Sequence, residues 1–335
     1  MKKIINRPED YTDDMLRGIY AAHGDAVKYA AGDLRCYCTA HKTPGKVAIV
    51  TGGGTGHLPL FLGYVGEGML DGCGVGSVFQ SPSAEQIFQI SKEVEAGAGV
   101  LYLYGNYTGD IMNFDMAAEL CEMEDIETRS IVGADDVNSS TDPDKRRGVA
   151  GIFYMYKCAA AKAAEGGTLE EVFAAAQKAK EYTRTVGFAL TPCVLPELGH
   201  ANFTLEENEM AMGMGIHGEP GIWNGPVKTA DEIAAESLET LLQDMPLVPE
   251  DEVALLINGL GATSVEELYI LSGSVTRLLQ EKGVKLYRTH VGEYATSMEM
   301  AGASISLCKI ADEEMKRWLD APVCSPFYCQ KGQGA

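Results

Sequence analysis

Short apolar stretches alternate with glycine-containing turns and helix-like stretches along most of this chain, and that alternation constrains its fold more than any other feature. An apolar stretch at 47–50 runs into a glycine-rich segment, and another at 100–104 runs into a loop before helical apolar spacing at 111–122. Strands that alternate with helices are typical of α/β sheets covered by helices. We therefore predict an α/β fold in which each sheet is flanked by helices.

The length of the chain predicts two domains. It has 335 residues, and single hydrophobic cores stop growing at about 250 to 300 residues. A predicted strand at 186–191 leads to two prolines, Pro192 and Pro196, after which the order of elements changes. We place the boundary there, with an N-terminal α/β domain over 1–190 and a C-terminal α/β domain over 191–335.

Composition disfavours several classes of partner. The formal net charge of −21 at pH 7 disfavours nucleic acid, because binding to a phosphate backbone depends on Lys and Arg side chains. The first ten residues form no signal peptide, and no apolar run reaches the roughly 18 residues that a membrane helix needs. We expect a cytoplasmic protein that binds neither nucleic acid nor a membrane.

The nine cysteines are an odd number in a large chain without a secretion signal, which predicts reduced thiols. The tightest group is Cys36, Cys38 and His41, which could form a metal site together with Cys324 and Cys329. These spacings match no usual zinc pattern, and buried cysteine is a common core residue. We therefore predict no metal site.

The strongest local signal for chemistry is the segment Thr51-Gly52-Gly53-Gly54-Thr55-Gly56-His57, between a predicted strand and a helix predicted to start at 58–65. Ligands of open α/β sheets bind at the carboxyl ends of strands, and serial glycines let a ligand reach backbone amides. Neither nucleotide-binding glycine pattern fits, and His57 would obstruct a dinucleotide. We expect His57 to do acid–base work on a small polar substrate. The alternative is a tight turn in which the histidine is incidental.

Two further loops are predicted to reach the same edge of the sheet. The loop at 105–110 ends in Asp110, which we expect to cap the helix at 111–122 and to form, with His57, a base for a hydroxyl group. A role as helix cap alone is the alternative. The loop at 72–83 would add Phe79 and Ser81 to the pocket wall, with Ser83 as a helix cap, or would be a plain capped turn.

A third candidate residue, His217, stands in the tract Met212-Gly-Met-Gly-Ile-His-Gly-Glu-Pro-Gly221. Glycines on both sides remove steric cover, so the imidazole is exposed to small molecules. That position suits a nucleophile, a ligand or a general base. A turn that happens to contain a histidine is the alternative.

Eight short motifs follow one another along the chain: GGGTGH at 52–57, GYVG at 63–66, SPS at 81–83, GNYTGD at 105–110, DDV at 135–137, RRGVAG at 146–151, EMAMGMGIHGEPG at 209–221 and NGLG at 258–261. Taken in this order, they resemble those of the substrate-binding subunit of dihydroxyacetone kinases of the DhaK type, over nearly the whole length of the chain. Eight motifs in one order are far more specific than any single one.

The resemblance implies a covalent mechanism at a site between the strand-end loops of the first domain and the glycine-rich loop of the second. The family histidine that matches His217 adds through a ring nitrogen to the substrate ketone, and the resulting hemiaminal selects ketones over glycerol. The residues that match His57 and Asp110 bind and polarise the hydroxyl that attacks phosphorus. The family loop that matches Gly54-Thr55-Gly56-His57 also contacts the substrate.

The resemblance further implies that phosphate comes from another protein. The family takes it from ATP or ADP bound with Mg by a separate all-helical subunit or domain, and we find none after about residue 321. We therefore expect a homodimeric kinase subunit of glycerol metabolism that binds no cofactor itself. Its helical nucleotide-binding partner would use free ATP or be recharged by a sugar phosphotransferase protein.

Two departures from the family bear on the substrate. Gly105 stands where the best-known members carry a lysine at the substrate, and Leu58, Leu60 and Phe61 replace Glu, Ala and His in the helix region after His57. A positive donor is lost and space is gained. We expect a related ketose, such as the four-carbon erythrulose, in place of or beside dihydroxyacetone.

A function of a different class remains open. Some relatives bind the ketone but serve as co-activators that dock on a transcription regulator. Retention of His57, Asp110 and His217 favours the kinase subunit, although ligand binding alone could preserve all three. A nicotinamide oxidoreductase is disfavoured, because the dinucleotide fingerprint is absent.

Overall fold

The structure is a computed structural model that describes residues 2–332. These residues form two compact units, each with its own six-stranded sheet. The first unit contains 2–133, 154–179 and 314–332, and the second contains 134–153 and 180–313. The chain therefore passes between the units four times. The predicted α/β class, with two domains of sheet and helices, is confirmed.

The sheet of the first unit is mostly parallel. Its strands are β1 (Val27–Tyr29), β2 (Cys36–Thr39), β3 (Ala48–Thr55), β4 (Gly72–Val78), β5 (Val100–Gly105) and β6 (Thr128–Gly133). They lie in the order β1-β2-β4-β3-β5-β6. The four strands β4, β3, β5 and β6 run parallel to one another, whereas β1 and β2 add antiparallel pairs at one side. The carboxyl ends of the four parallel strands therefore lie at one edge of the sheet.

The sheet of the second unit is mostly antiparallel. Its strands are β7 (Thr183–Ala189), β8 (Glu209–Met212), β9 (Trp223–Pro226), β10 (Glu252–Gly259), β11 (Lys285–Gly292) and β12 (Gly302–Lys309). They lie in the order β11-β10-β12-β7-β8-β9, and only β10 and β11 run parallel within it. A short antiparallel hairpin in the first unit, β13 (Val323–Cys324) and β14 (Cys329–Gln330), is a separate sheet.

Eight α-helices accompany these strands within residues 2–332. They are α1 (Tyr11–His23), α2 (Ala84–Val94), α3 (Thr108–Glu122), α4 (Ile152–Ala164), α5 (Leu169–Glu181), α6 (Ala230–Asp244), α7 (Val265–Glu281) and α8 (Glu313–Asp320). In the first unit the apolar faces of α2 and α3 pack on the sheet, with Ile87, Ile90 and Phe114 in its core. In the second unit α6 and α7 do the same, with Leu241 and Leu271. No helix in the described range is long and apolar enough to cross a membrane.

Local capping explains where several helices begin. The helix α7 begins at Val265 because Ser264 accepts a hydrogen bond from Glu267 N and the Glu267 side chain bonds back to Ser264. The same capping box joins Ser83 and Gln86 at the start of α2. The prediction that Ser83 caps a helix is therefore confirmed.

The segment at 58–65 does not begin an α-helix, so that prediction is wrong. Its one regular element is a 3-10 turn at Leu62–Tyr64. A Cβ atom on Gly63 would lie 2.8 Å from Cβ of Pro59 and 3.3 Å from Cβ of Phe327. The segment thus packs closely against the tip of the β13–β14 hairpin, and this tertiary contact overrides its apolar spacing.

The strand predicted at 186–191 joins the second sheet. As β7 it pairs with β12 and with β8, and it begins at Thr183, before the predicted boundary at 190. The last segment of the chain, 314–332, lies in the first unit. The units consequently interleave along the sequence, where the sequence pattern had suggested one division.

Candidate functional site

The glycines of the strongest motif lie within a strand. The strand β3 extends through Gly54 to Thr55, beyond the stretch at 47–50 that the sequence predicted. A Cβ atom on Gly54 would lie 2.6 Å from the backbone nitrogen of Gln80 and 2.7 Å from Cα of Phe79. Only glycine permits this approach between the end of β3 and the turn after β4. Gly54 therefore lets the turn at Phe79 lie close against the end of the strand.

His57, two residues after β3 ends at Thr55, is buried between aromatic rings. Its imidazole stacks on Phe79, with centroids 4.9 Å apart and planes 14° apart, and meets the edge of Phe61 at 6.0 Å. Phe79 has a φ of 58°, a left-handed conformation that is uncommon for a phenylalanine. The two rings hold the plane of the imidazole and shield it from water. His57 is therefore oriented before any substrate binds.

Asp110 is the third residue of α3. The helix begins after Tyr107, which occupies the N-cap position with extended backbone angles, so the prediction that Asp110 caps this helix is wrong. Asp110 is buried in the first helical turn, where the helix dipole stabilises a negative charge. Burial raises the pKa of Tyr104 to about 12, and the charge of Asp110 contributes to that rise. The carboxylate consequently acts on side chains near the end of β5.

The other predicted residues of the first unit lie near the same ends of the strands. Ser81 Oγ would be 2.7 Å from a Cβ atom on Gly109, and Asn113 of α3 donates a hydrogen bond to Pro82 O at 2.8 Å. Gly105 is the buried last residue of β5. The structure thus places eight of the nine predicted site residues at the carboxyl ends of β3, β4 and β5 or in the segments that follow them: Gly54, Thr55, Gly56, His57, Phe79, Ser81, Gly105 and Asp110.

The ninth residue, His217, belongs to the second unit, in the loop between β8 and β9. The backbone of this loop is well hydrogen-bonded. Gly213 N donates to Gly187 O at 2.7 Å, and Gly218 N donates to Gly215 O at 3.0 Å. Asn202 Nδ2 donates to the His217 carbonyl at 2.9 Å. The glycines therefore build a defined loop, in which 22% of the His217 side chain is exposed.

Glu219 holds His217 through both carboxylate oxygens. Oε1 lies 2.8 Å from Nδ1 of the imidazole, and Oε2 accepts a hydrogen bond from the His217 backbone N–H at 3.0 Å. A Cβ atom on Gly215 would lie 2.1 Å from that same Oε2. Glycine at 215 therefore leaves the space that the carboxylate occupies. Sequence reasoning quoted Glu219 within the motif but assigned it no role.

Two charged residues from an earlier segment extend this arrangement. Arg147 Nη1 lies 3.8 Å from Glu219 Oε2, and Arg147 Nη2 lies 2.8 Å from Asp136 Oδ2. Arg147 Nη2 also donates to Gly213 O at 3.0 Å, which ties the arginine to the loop. Burial raises the pKa of Asp136 to about 7, although the charge of Arg147 lowers it. The sequence motifs at 135–137 and 146–151 contained these residues, but only the fold brings them to His217.

The ionisation of Glu219 determines the chemistry available to His217. Burial alone raises the pKa of Glu219, but the hydrogen bond and charge of His217, with the charge of Arg147, bring that pKa down to about 2. The carboxylate is therefore ionised at neutral pH and accepts the Nδ1 proton. A neutral imidazole in this tautomer carries its lone pair on Nε2. Such a nitrogen can add to an electrophilic carbon.

The cysteines that the sequence considered as metal ligands do not gather into one cluster. Cys36 and Cys38 are buried in β2, and Cys324 and Cys329 are exposed on the β13–β14 hairpin. Within residues 2–332 no group of three or more His, Cys, Asp or Glu side chains could hold a metal ion.

Comparisons with known sequences agree on one family. Residues 17–327 match the family model of the Dak1 domain. The dihydroxyacetone-binding subunit DhaK of PTS-dependent dihydroxyacetone kinase 1 from Listeria innocua is 42% identical over 325 residues, 96% of this chain and 98% of that protein. The D-erythrulose kinase of Mycolicibacterium smegmatis is 43% identical over 331 residues, which are 98% of this chain and 56% of that protein.

Solved structures agree with the sequences. The dihydroxyacetone kinase operon co-activator Dha-DhaQ superposes with a TM-score of 0.87 and 32% identity, over 92% of this chain and 96% of that one. The dihydroxyacetone kinase from C. freundii, solved with AMP-PNP and Mg²⁺, has a TM-score of 0.87 and 26% identity, over 98% of this chain and 61% of that one.

Proposed function

This chain belongs to the Dak1-domain family, as its motifs predicted, and from that premise we propose that it is the ketose-binding subunit of a kinase. The observation that carries the proposal is the 2.8 Å contact between Glu219 Oε1 and His217 Nδ1. A carboxylate can only accept a proton there, and we infer that the lone pair of the neutral imidazole lies on Nε2. A nucleophile needs an electrophilic carbon, and a ketone has one where glycerol has none. The substrate class is therefore a short ketose.

The covalent step balances with His217, Glu219 and solvent water. Nε2 of His217 bonds to the ketone carbon, and the carbonyl π electrons move to the oxygen, which takes a proton from water. The ring carries a positive charge, which the ionised Glu219 stabilises, until Nδ1 gives its proton to the hydroxide and re-forms water. The product is a hemiaminal, whose formation reverses by the same steps.

His57 and Asp110 of the first unit are proposed to act on the terminal hydroxyl of the same ketose. The stacked ring of His57 is fixed in orientation, and the carboxylate of Asp110 can accept a hydroxyl proton. Phosphoryl transfer depends mainly on position and on charge compensation, so a held and polarised hydroxyl is a large part of the catalysis.

The phosphoryl donor is proposed to be ATP, or ADP that a phosphotransferase protein recharges, held with Mg²⁺ by a helical partner. Two relatives support this. The C. freundii kinase was solved with AMP-PNP and Mg²⁺, and this chain covers 61% of it. The Listeria innocua subunit is named as PTS-dependent. Bound nucleotide supplies the transferable phosphoryl group, while this chain holds the acceptor.

The preferred ketose is proposed to have four carbons. Gly105 at the end of β5 offers neither the charge nor the bulk of the lysine that the family's best-known members carry. A relative at 43% identity is named D-erythrulose kinase. We expect erythrulose to be phosphorylated more efficiently than dihydroxyacetone.

One experiment tests the covalent step and the substrate together. Dihydroxyacetone and each enantiomer of erythrulose, isotope-labelled at the carbonyl carbon, are added to the protein, and carbon NMR follows the signal. A shift from carbonyl to tetrahedral carbon is expected with the preferred ketose, whereas glycerol should not bind. Phosphorylation is then compared among these ketoses with a helical nucleotide-binding subunit present. Equal or better use of dihydroxyacetone would overturn the four-carbon proposal, and a bound ketose with an unchanged carbonyl signal would overturn the hemiaminal.

A co-activator function is the second candidate, favoured by the match to Dha-DhaQ at 32% identity over 92% of this chain. In that role the protein would bind the ketone and then a transcription regulator. Both roles predict the NMR shift, so phosphorylation by the combined subunits distinguishes them. No turnover with any helical subunit encoded nearby, together with ketone-dependent binding of a regulator, would favour the co-activator.

A further inference from the structure

Two exposed cysteines face each other across the β13–β14 hairpin. Cys324 and Cys329 are partners in its antiparallel register, and both are free thiols. The seven other cysteines of the chain are buried. The charge of Cys329 raises the pKa of Cys324 above its ordinary value, which is the effect expected of a second sulfur close by.

The hydrogen bonds of the hairpin define which kind of pair this is. Ser325 N donates to Tyr328 O at 2.9 Å and closes the turn, so Ser325 and Tyr328 are a hydrogen-bonded pair. Pair types alternate along an antiparallel ladder, which makes Cys324 and Cys329 a non-hydrogen-bonded pair. In agreement, Cys324 N points away from Cys329 and donates to Glu67 O at 2.8 Å.

A non-hydrogen-bonded pair has the spacing that a disulfide needs. Its Cα atoms lie about 4.5 Å apart and its side chains are closer than in the alternate pair type. Disulfides usually join Cα atoms roughly 4.4 to 6.8 Å apart. The bridge would therefore form with little movement of the backbone.

The tip of the hairpin is also held in place. Ser325 Oγ donates to Gly63 O at 2.8 Å, and the Phe327 ring lies 6.0 Å from that of His23. The hairpin therefore keeps both sulfurs on neighbouring positions while leaving them open to solvent.

From this geometry we propose that Cys324 and Cys329 form a reversible dithiol site, a modification site that reacts with low-molecular-weight disulfides such as oxidised glutathione. The thiolate of one cysteine attacks a sulfur of the oxidant, which forms a mixed disulfide and releases one glutathione. The thiolate of the other cysteine then attacks the protein sulfur of that mixed disulfide and releases the second glutathione. The two protons lost by the cysteines are taken up by the two glutathione thiolates.

The buried cysteines provide an internal comparison. Burial raises the pKa of the Cys36 thiol to about 12, and it raises the pKa of the Cys308 thiol to about 12 as well. Their thiolate fractions near neutral pH are small, and oxidants cannot reach them easily. Oxidation should consequently be selective for the hairpin pair.

The test is mass spectrometry of the whole folded protein after equilibration with reduced and oxidised glutathione at neutral pH, with alkylation before digestion. We expect the protein to lose the mass of two hydrogen atoms, and the peptide that spans 324–329 to resist alkylation until it is reduced. Cys324→Ser and Cys329→Ser should each give a stable mixed disulfide with glutathione at the remaining cysteine and no internal bridge.

A register control keeps the number of thiols constant. The double variant Cys324→Ser, Ser325→Cys moves one thiol by one residue and therefore to the other face of the hairpin. It should form mixed disulfides and no internal bridge. The proposal is overturned if this variant bridges as readily as the natural chain. It is overturned equally if the natural chain yields only glutathione adducts, only disulfides between molecules, or no oxidation at these two positions.

Discussion

The two histidines that we propose act on the ketose are held in opposite ways. His57 is 1% exposed and lies among aromatic rings, whereas 22% of the His217 side chain is exposed and a carboxylate grips its ring. Stacked rings fix the plane of an imidazole without choosing its tautomer, while a carboxylate chooses the tautomer and stabilises a positive ring. The difference suits His57 to positioning and proton transfer, and His217 to nucleophilic addition.

The largest effect is expected from His217→Ala, which removes the proposed nucleophile. The tetrahedral carbon signal should disappear, and phosphorylation should fall by about 1,000-fold or more, as is typical when a covalent group is lost. The exposed His200 provides a matched control, since His200→Ala should leave both measurements unchanged. An adduct that survives in His217→Ala would contradict the assignment of nucleophile to the second unit.

The next effect is expected from Glu219→Gln, which keeps the shape of the side chain and removes its charge. A charge-assisted hydrogen bond contributes roughly 1.5 to 3 kcal/mol, which corresponds to about a 12- to 160-fold loss of adduct. The measurement is the ketone concentration that half-saturates the tetrahedral carbon signal, with the exposed Glu207→Gln as control. Glu219→Asp should recover part of the loss. An unchanged saturation curve in Glu219→Gln would mean that Glu219 only shapes the loop.

A smaller effect is expected from Phe79→Leu, which removes the ring stacked on His57. Aromatic pairs of this kind contribute about 0.5 to 1.5 kcal/mol, so turnover should fall roughly 2- to 12-fold. Formation of the ketone adduct should stay within about twofold of the natural protein, because the adduct depends on the other unit. Phe173→Leu, a change in α5, is the control. Equal losses of adduct and of turnover would contradict the division of roles between the histidines.

The smallest effect on turnover is expected from Asp136→Asn, whose main consequence is on stability against pH. Burial raises the folded-state pKa of Asp136 from 3.8 to about 7, so the folded protein holds more protons than the unfolded chain between about pH 4 and pH 7. This carboxyl therefore makes the protein less stable as pH rises through that window. The thermal midpoint of Asp136→Asn should vary less with pH between 4 and 7, and a steeper variation would contradict the raised pKa.

Sequence patterns placed the first-unit candidates near the ends of strands because strand-to-helix turns carry strong local signals. The start of the second-unit helix at Val265–Glu281 carries such a signal too, since Ser264 and Glu267 form a local capping box. The strands β1 and β9 were missed because they are short and lie at sheet edges, where apolar alternation is weak. The loop predicted at 72–83 is wrong over its first part, because Gly72–Val78 form the strand β4 inside the sheet, and their glycines hid that strand. The glycines of β3 looked like a loop because the sequence does not show the close contacts that require them, such as that of Gly54 with the turn at Phe79 and Gln80.

The surroundings of His217 could not be predicted in the same way. Glu219 is two residues from His217, but nothing in the spacing shows that the loop turns its carboxylate onto Nδ1. Arg147 and Asp136 are still more remote, and they reach the loop only through the fold of the second unit. Charged networks assembled from distant segments leave separate short motifs in a sequence, and the motifs do not state which of them meet.

The fourfold passage of the chain between the two units has a consequence for protein synthesis. The strand β7 needs β12, which the ribosome makes more than 100 residues later, and the first unit receives its segment at 314–332 after the second unit has been made. Neither unit can be completed as it emerges, although domains commonly fold one after another during translation. Contacts between segments so far apart in the sequence raise the contact order and slow folding. In a nascent chain arrested at residue 250, a protease should therefore cleave both units readily.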